Sequence, residues 1–214
     1  MITKLEFLKL VEGNEYHAYV PATGRSGVTI GIGVDLGNIG VKNLDVSEDL
    51  LEKLLPYDGL HGRAAISALN TTPLRLSQEE TNLLSLSAIE LHEKELEVQF
   101  NRGSDVPYNE LHPYKKIVLL SVKYQYGNLP KRTPKFWGYS VSGEWKAAYQ
   151  ELRNFGDDYP TRRNKEADLL QQALNDERNE ECSENYLHRL MNLERKHRKL
   201  VGRLAGPRCR DKTK

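Results

Sequence analysis

Three side chains near the amino terminus, those of Glu12, Thr29 and Asp35, are of the types that acid–base catalysis uses. Hydrolysis of a glycosidic bond requires two carboxyl groups beside a cleft. One is protonated and donates to the leaving oxygen; the other is ionised and activates water or attacks carbon. Glu12 falls at the end of a predicted helix, where the helix dipole disfavours a negative charge and favours the protonated acid. Asp35 is then the candidate base, and the Thr29 hydroxyl would help to hold the water.

The helix that carries Glu12 is predicted from its start and stop signals. Thr3 followed by Glu6 is a capping-box pattern, and apolar side chains recur at helical spacing up to Gly13, which can end the helix. The carboxyl group of Glu12 therefore belongs to the last turn.

Thr29 and Asp35 belong to the strongest β pattern of the chain. A short strand is expected over residues 16–21, a loop over 22–27, and a second β segment over 28–35 in which branched apolar residues alternate with small or polar ones. In one straight strand Thr29 and Asp35 would lie about 20 Å apart, at about 3.3 Å per residue. A reversal at Gly31 and Gly33 would instead form a hairpin from residues 28–30 and 33–36. The proposed chemistry requires this hairpin.

The remainder of the chain reads as helix. Helices are predicted to begin at Ser47, at Ser77 (reaching about Phe100), at Pro113, at Ser142 and at Thr161, and a last basic helix is expected over 185–204, ended by Gly206-Pro207. Residues 117–122 are apolar on all sides, which is typical of a buried central helix. The predicted fold class is α+β and predominantly helical, with a β lobe at about 14–40 and a helical bundle at about 45–180.

Composition excludes several classes of protein. The 214 residues include 31 Lys and Arg against 30 Asp and Glu, so no global field favours nucleic acid. No run of 18 apolar residues predicts a transmembrane helix, and the charged amino terminus does not resemble a secretory signal. Two cysteines exclude a disulfide-dense scaffold.

Neither a cofactor nor a metal is expected. The glycines at 31, 33 and 37 lack the third glycine of a dinucleotide motif, and no Gly-Lys-Ser/Thr sequence follows them. Cys182, His188, His197 and Cys209 match no common zinc spacing, so a solvated helix face is the preferred interpretation.

The charge is distributed unevenly. Residues 1–182 carry 21 basic and 27 acidic side chains, whereas residues 183–214 carry 10 basic and 3 acidic ones. Three interpretations of the basic tail stay open, in this order: a solvated helix packed on the bundle, a segment attracted to an anionic cell envelope, and a nucleic-acid-binding segment.

The amino-terminal motifs resemble a known family. Glu12-Gly13, Tyr19 and Thr29-Ile30-Gly31-Ile32-Gly33 are similar to the active-site segment of the phage-type lysozymes, which are muramidases. In that family a Glu ends the first helix, and an Asp and a Thr follow on the β lobe. Here Val20-Pro21 replaces the Asp expected after the Tyr. The extension 33–37, in which Asp35 follows Thr29 by six positions, resembles the muramidase domain of pesticin and related antibacterial effectors.

Further stretches extend the resemblance to about residues 3–175: 121–127, 136–137, Trp145, 151–155 and 159–167. It implies a two-lobed lysozyme-like domain over 1–180, followed by an extension over 181–214. It also implies cleavage of the β-1,4 bond between N-acetylmuramic acid and N-acetylglucosamine in the peptidoglycan glycan strand, without a metal or cofactor.

The same resemblance assigns Gly31, Gly33, Tyr19 and Arg162 to substrate binding and places Arg162 near Glu12, fixing it in place. A cation there would oppose the effect of the helix end on the Glu12 proton, and the sequence leaves the balance open.

Two alternatives to the muramidase remain. One is a catalytically degenerate scaffold that binds peptidoglycan or nucleic acid, supported by the missing Asp after Tyr19. The other is a lytic transglycosylase, which needs only the Glu. For any of them we expect synthesis in the cytoplasm without a signal peptide and action on the cell wall after release by a holin or delivery by a secretion system. An immunity or inhibitor protein is a candidate partner.

Overall fold

A computed structural model describes residues 1–22 and 26–204, the side chains of 189, 194 and 196–204 excepted. The predicted loop residues 23–25, the helix stop at Gly206-Pro207 and Cys209 lie outside this part of the chain. The class is α+β and predominantly helical, as predicted.

A small antiparallel sheet lies near the amino terminus. Helix α1 (Lys4–Glu12) precedes strands β1 (Glu15–Tyr19), β2 (Thr29–Gly31) and β3 (Val34–Asp35), whose order in the sheet is β1-β2-β3. The short helix α2 (Leu36–Ile39) follows β3 directly.

The described helices after the sheet form the bulk of the protein. They are α3 (Glu48–Leu54), α4 (Gly62–Thr71), α5 (Gln78–Asn101), α6 (Pro113–Tyr126), α7 (Leu129–Arg132), α8 (Pro134–Val141), α9 (Trp145–Arg153) and α10 (Pro160–Leu204), with 3-10 turns at Val41–Asn43, Leu55–Tyr57 and Tyr108–Glu110.

Local signals explain where the helices that hold the site begin and end. Both predicted capping boxes are present, at Thr3 with Glu6 and at Ser77 with Glu80, and Gly127 ends α6 with a φ of 72°. Helix α6 is central: residues 117–122 are all buried, and the helix packs against α10, α5, α7 and α1. This confirms the central helix predicted from its apolar run.

The structure corrects the sequence-based description of the last helices. Ser142 does not begin a helix. Its hydroxyl donates to the Gly138 carbonyl (2.6 Å) at the end of α8, a helix that the sequence did not predict. Gly143, with a φ of 74°, separates α8 from α9. The helices expected from Thr161 and from 185 are one continuous helix, α10. Its first turns are buried in the bundle, whereas described side chains beyond residue 178 are exposed, Tyr186 by 63% and Leu193 by 61%.

Candidate active site

The site begins at the carboxyl end of α1. Glu12 is the last residue of this helix, and its side chain is 22% exposed. Its Oε1 accepts an N–H from Nη1 of Arg162, which lies in the first turn of α10 and is 8% exposed. This is the contact that the resemblance implied. It forms because α6 packs against both α1 and α10 and so brings the two helix ends together.

The guanidinium of Arg162 has two further partners behind Glu12. Nη2 donates to the carbonyl oxygen of Ser121 (2.7 Å), and Nε donates to Oε1 of Glu166 (3.2 Å). The Ser121 hydroxyl donates to the same Glu166 oxygen at 2.5 Å. Because each edge of the guanidinium is held, its orientation toward Glu12 is set by buried groups.

A second arginine completes the buried cluster. Arg163 Nη1 lies 2.7 Å from Oε2 of Glu166, and its Nε lies 3.3 Å from Oδ2 of Asp157. Its guanidinium also stacks 4.8 Å from the ring centroid of Phe155, and the Tyr126 hydroxyl donates to Asp157 (2.6 Å). Burial and this hydrogen bond raise the pKa of Tyr126 to about 12, so the phenol stays neutral.

The β side of the site is a hairpin, as the sequence-based chemistry required. Thr29 pairs with Asp35 and Ile30 with Val34, and the chain reverses at Ile32-Gly33. Cα atoms of residues paired in this way lie about 4.5–5.5 Å apart, not the roughly 20 Å of a straight strand. On its other side Thr29 pairs with Tyr19 of β1. Tyr19, Thr29 and Asp35 therefore form one row across the sheet.

Asp35 is held by the backbone of its own loop. Its Oδ1 accepts the N–H groups of Gly27 (3.1 Å) and Gly37 (3.0 Å), and its Oδ2 accepts from the Asn38 amide (2.8 Å). Asp35 is thus the N-cap of α2. Asp35 therefore has the contacts of a turn residue and also the pairing with Thr29 that the catalytic interpretation requires.

The small residues of the hairpin have different surroundings. The Thr29 side chain is buried, and its hydroxyl donates to the Gly27 carbonyl at 3.3 Å. Gly31 has a φ of 68°, and a Cβ atom there would lie 3.0 Å from the Ser85 hydroxyl of α5. Gly33 has a φ of 89° but faces open space. Gly31 therefore holds the sheet against the bundle, whereas Gly33 serves the turn.

Two tyrosines lie in the electrostatic field of Glu12. Partial burial raises the pKa of Tyr19, and the negative charges of Glu15 and Glu12 add to the effect. Burial likewise raises the pKa of Tyr124 on α6, with Glu12 contributing and Arg162 opposing. The buried Tyr124 hydroxyl has no hydrogen-bond partner among the described residues. Both phenols are neutral donors near the Glu12 carboxyl.

Sequence reasoning did not identify Ser121, Tyr124, Arg163 and Glu166 as parts of the site. A signal exists for two of them: Arg162 and Arg163 precede Glu166 by four and three positions, which places their side chains together on one helix face. Ser121 is a single hydroxyl inside the apolar run of α6, and nothing in that run shows that it faces a guanidinium.

Within residues 1–22 and 26–204, no cluster of three or more His, Cys, Asp or Glu side chains could hold a metal ion. Among these residues no helix has the length and apolarity that crossing a membrane demands.

A carboxylate at a helix end, held by a guanidinium and set between a small antiparallel sheet and a helical bundle, defines a lysozyme-like protein. The Pesticin family model, described as a bacterial toxin homologue of phage lysozyme, C-term, matches residues 2–146. That match covers more than half of the sequence, and the chain belongs to this family. The resemblance found in the sequence is thereby confirmed, and membership supports peptidoglycan hydrolysis at the level of the family.

Two solved structures are similar to the chain. The muramidase domain of SpmX from Asticaccaulis excentricus is 16% identical, with a TM-score of 0.48, over 78% of this chain and 93% of that one. An endolysin from Escherichia coli O157:H7 phage FAHEc1 is 17% identical, with a TM-score of 0.49, over 78% of this chain and 89% of that one. A search of curated proteins returned no match.

Proposed function

We propose that the protein is a muramidase that hydrolyses the β-1,4 bond between N-acetylmuramic acid and N-acetylglucosamine. The observation that carries the proposal is the position of Glu12: a partly exposed carboxyl at a helix end, held on one oxygen by the buried Arg162. A general acid needs this arrangement, since it must be fixed in direction and still reach the substrate.

Glu12 would donate its proton to the glycosidic oxygen as the bond to the anomeric carbon breaks. Because Oε1 accepts the N–H of Arg162, Oε2 is the oxygen that would carry the transferable proton. Asp35 would stabilise the positive charge that develops on the sugar ring or activate the attacking water, with Thr29 beside it in the sheet. Tyr19, at the end of the same row, would contact the glycan, and the turn at Gly31 and Gly33 would border the cleft.

The test compares three proteins on purified peptidoglycan: wild type, Glu12→Gln and Asp35→Asn. Wild type should release reducing muramic ends, identified by mass spectrometry, and Glu12→Gln should lose at least about 10²-fold in rate because it has no proton to donate. Thermal unfolding of all three shows whether a loss of rate is a loss of fold. Full activity of a folded Glu12→Gln protein would contradict the assignment.

One observation favours a second candidate, the lytic transglycosylase. Both oxygens of Asp35 are engaged by hydrogen-bond donors of its own loop, which is unlike a base that must receive a proton. A transglycosylase uses one acid residue and releases anhydro ends instead of reducing ends. An active Asp35→Asn variant with anhydro products would select this alternative.

As to location, we infer action on the cell wall after release by a holin or delivery by a secretion system, with peptidoglycan as the substrate. An immunity or inhibitor protein would bind over Glu12 and the hairpin. To test whether delivery limits the activity, the purified protein is added to intact cells and to permeabilised cells, and the rates of lysis are compared.

A further inference from the structure

The carboxylate of Glu166 lies directly behind the guanidinium that holds Glu12. It is fully buried, and each of its contacts is with a donor: Arg163 at 2.7 Å, Ser121 at 2.5 Å and Arg162 at 3.2 Å. Burial raises the pKa of Glu166, while the two guanidinium groups and the Ser121 hydroxyl oppose that effect. Two guanidinium groups, which stay protonated, lie within 3.2 Å of this carboxyl group and stabilise its ionised form, although the contact of Oε2 with Arg163 is an ion pair without hydrogen-bond geometry.

The charges of the cluster balance without Glu12. Among the described residues it holds two cations, Arg162 and Arg163, and two anions, Glu166 and Asp157. The cluster is therefore neutral when Glu12 is protonated and carries one negative charge when Glu12 is ionised. An arginine that had no anionic partner besides Glu12 would favour the ionised form of Glu12.

We propose that Glu166 is a positioning residue that offsets the charge of Arg162, so that Arg162 can orient Glu12 without depriving it of its proton. The inference rests on the proposed function for its catalytic meaning, but the protonation of Glu12 can be measured whether or not the protein cleaves glycan. Glu166 acts through Arg162 and does not contact substrate.

The other titratable groups facing Glu12 are few among the described residues. They are Glu15 and Tyr19 on β1 and Tyr124 on α6, whereas the ammonium of Lys9, in the last turn of α1, donates to Asn82. Lys165 of α10 donates to the carbonyl of Leu10, in the last turn of α1. None of these groups forms a hydrogen bond with Arg162 among the described residues, although the charge of Arg162 acts on Tyr124.

Charge changes inside the cluster should move the Glu12 titration in opposite directions. Glu166→Gln makes the cluster positive while Glu12 is protonated, so Glu12 should lose its proton about one pH unit lower than in wild type. Arg163→Gln makes the cluster negative, so Glu12 should retain its proton to a higher pH. The shift should be smaller, because Arg163 contacts Glu166 and not Glu12 in the described structure. The double variant should titrate between the two single variants and somewhat below wild type, because the shift caused by Glu166→Gln is the larger one.

The measurement is a ¹³C NMR titration of the full chain labelled at glutamate side-chain carboxyls, with the Glu12 signal assigned by its loss in Glu12→Gln. Asp168→Asn is the matched control: it removes the same charge from the same helix, but Asp168 is 61% exposed and pairs with Arg153. This control should leave the Glu12 midpoint unchanged. On peptidoglycan, the pH at which kcat/KM falls as pH rises should move with the NMR midpoints.

Opposite shifts in the single variants, and an intermediate midpoint in the double variant, support the proposal, because a merely structural defect would lower activity without moving the titration in two directions. If Glu166→Gln does not fold, the comparison of Arg163→Gln with the double variant isolates the same effect: adding Glu166→Gln must lower the midpoint. Midpoints that stay within error of wild type would overturn the role of Glu166. A wild type that titrates as expected but releases no glycan would instead contradict the proposed muramidase alone.

Discussion

Glu12 and Asp35, the two carboxylates of the candidate site, are held by different kinds of contact. Glu12 is held by Arg162, which is 150 positions away in the sequence and is oriented by side chains of α6 and α10. Asp35 is held by Gly27, Gly37 and Asn38, all within eight positions of it. The helix-end carboxylate therefore depends on the whole bundle, whereas the hairpin carboxylate depends on one loop.

The two kinds of contact suit different tasks, the long-range one catalysis and the local one folding. A guanidinium supplied by a distant helix contacts one oxygen of Glu12, whose side chain stays 22% exposed. Backbone N–H groups supplied by the loop engage both oxygens of Asp35 and order the chain around it. The two acids are thus expected to respond differently to substitution.

The largest effect is expected when the long-range holder is removed. Arg162→Gln leaves Glu166 with one cation fewer inside the protein, which should lower the free energy of unfolding by about 3 kcal/mol. It also frees Glu12 to move, so activity should fall by about 10²-fold. Chemical denaturation and the peptidoglycan assay measure the two effects. A variant of wild-type stability would show that the cluster holds no buried charge.

A smaller effect is expected at the locally held acid. Asp35→Ala removes the N-cap of α2 and should cost about 1–2 kcal/mol, whereas Asp35→Asn keeps an effective cap and should cost less. Hydrogen exchange of the Gly27 and Gly37 amides should rise in the alanine variant only. Equal unfolding energies for the two variants would contradict the capping role.

The hairpin glycines give a further contrast. Gly31→Ala and Gly33→Ala both place a side chain at a positive φ, which costs about 1 kcal/mol. Only Gly31→Ala also brings a Cβ atom within 3.0 Å of the Ser85 hydroxyl on α5. We expect Gly31→Ala to be the more destabilising of the two in urea unfolding. The reverse order would contradict this and would mean that Ser85 of α5 moves away from the added Cβ atom at little cost.

The smallest effect concerns the capping box of α5, which Lys53 of α3 supports with an ion pair to Glu80. Hydrogen bonds from Lys53 and Ser77 lower the pKa of Glu80 to about 2, below its value in the unfolded chain. The stabilisation is therefore complete above about pH 4.5 and is lost as the pH falls from there toward 2. Glu80→Gln should lose a fraction of a kcal/mol at neutral pH and show a flatter acid limb in thermal unfolding; an unchanged limb would contradict this.

Much of the fold could be predicted because its signals are local. The capping boxes at Thr3 and Ser77, the helix stop at Gly127 and the buried run of α6 each depend on neighbours within a few positions, and the structure confirms them. Helix α8 was missed because a local signal was misleading. Ser142 has the residue type of an N-cap, and only its contact with Gly138 shows that it ends the preceding helix.

The sequence by itself determined the fold class, the position of Glu12 at a helix end and the reversal at Gly31 and Gly33, because helix caps and positive φ angles are properties of a few adjacent residues. Tertiary structure alone decided what surrounds Glu12. The contact with Arg162, the hydroxyl of Ser121 and the charge of Glu166 meet only when α1, α6 and α10 pack together. Buried charges of this kind are stable only as a complete set, and that set spans most of the chain.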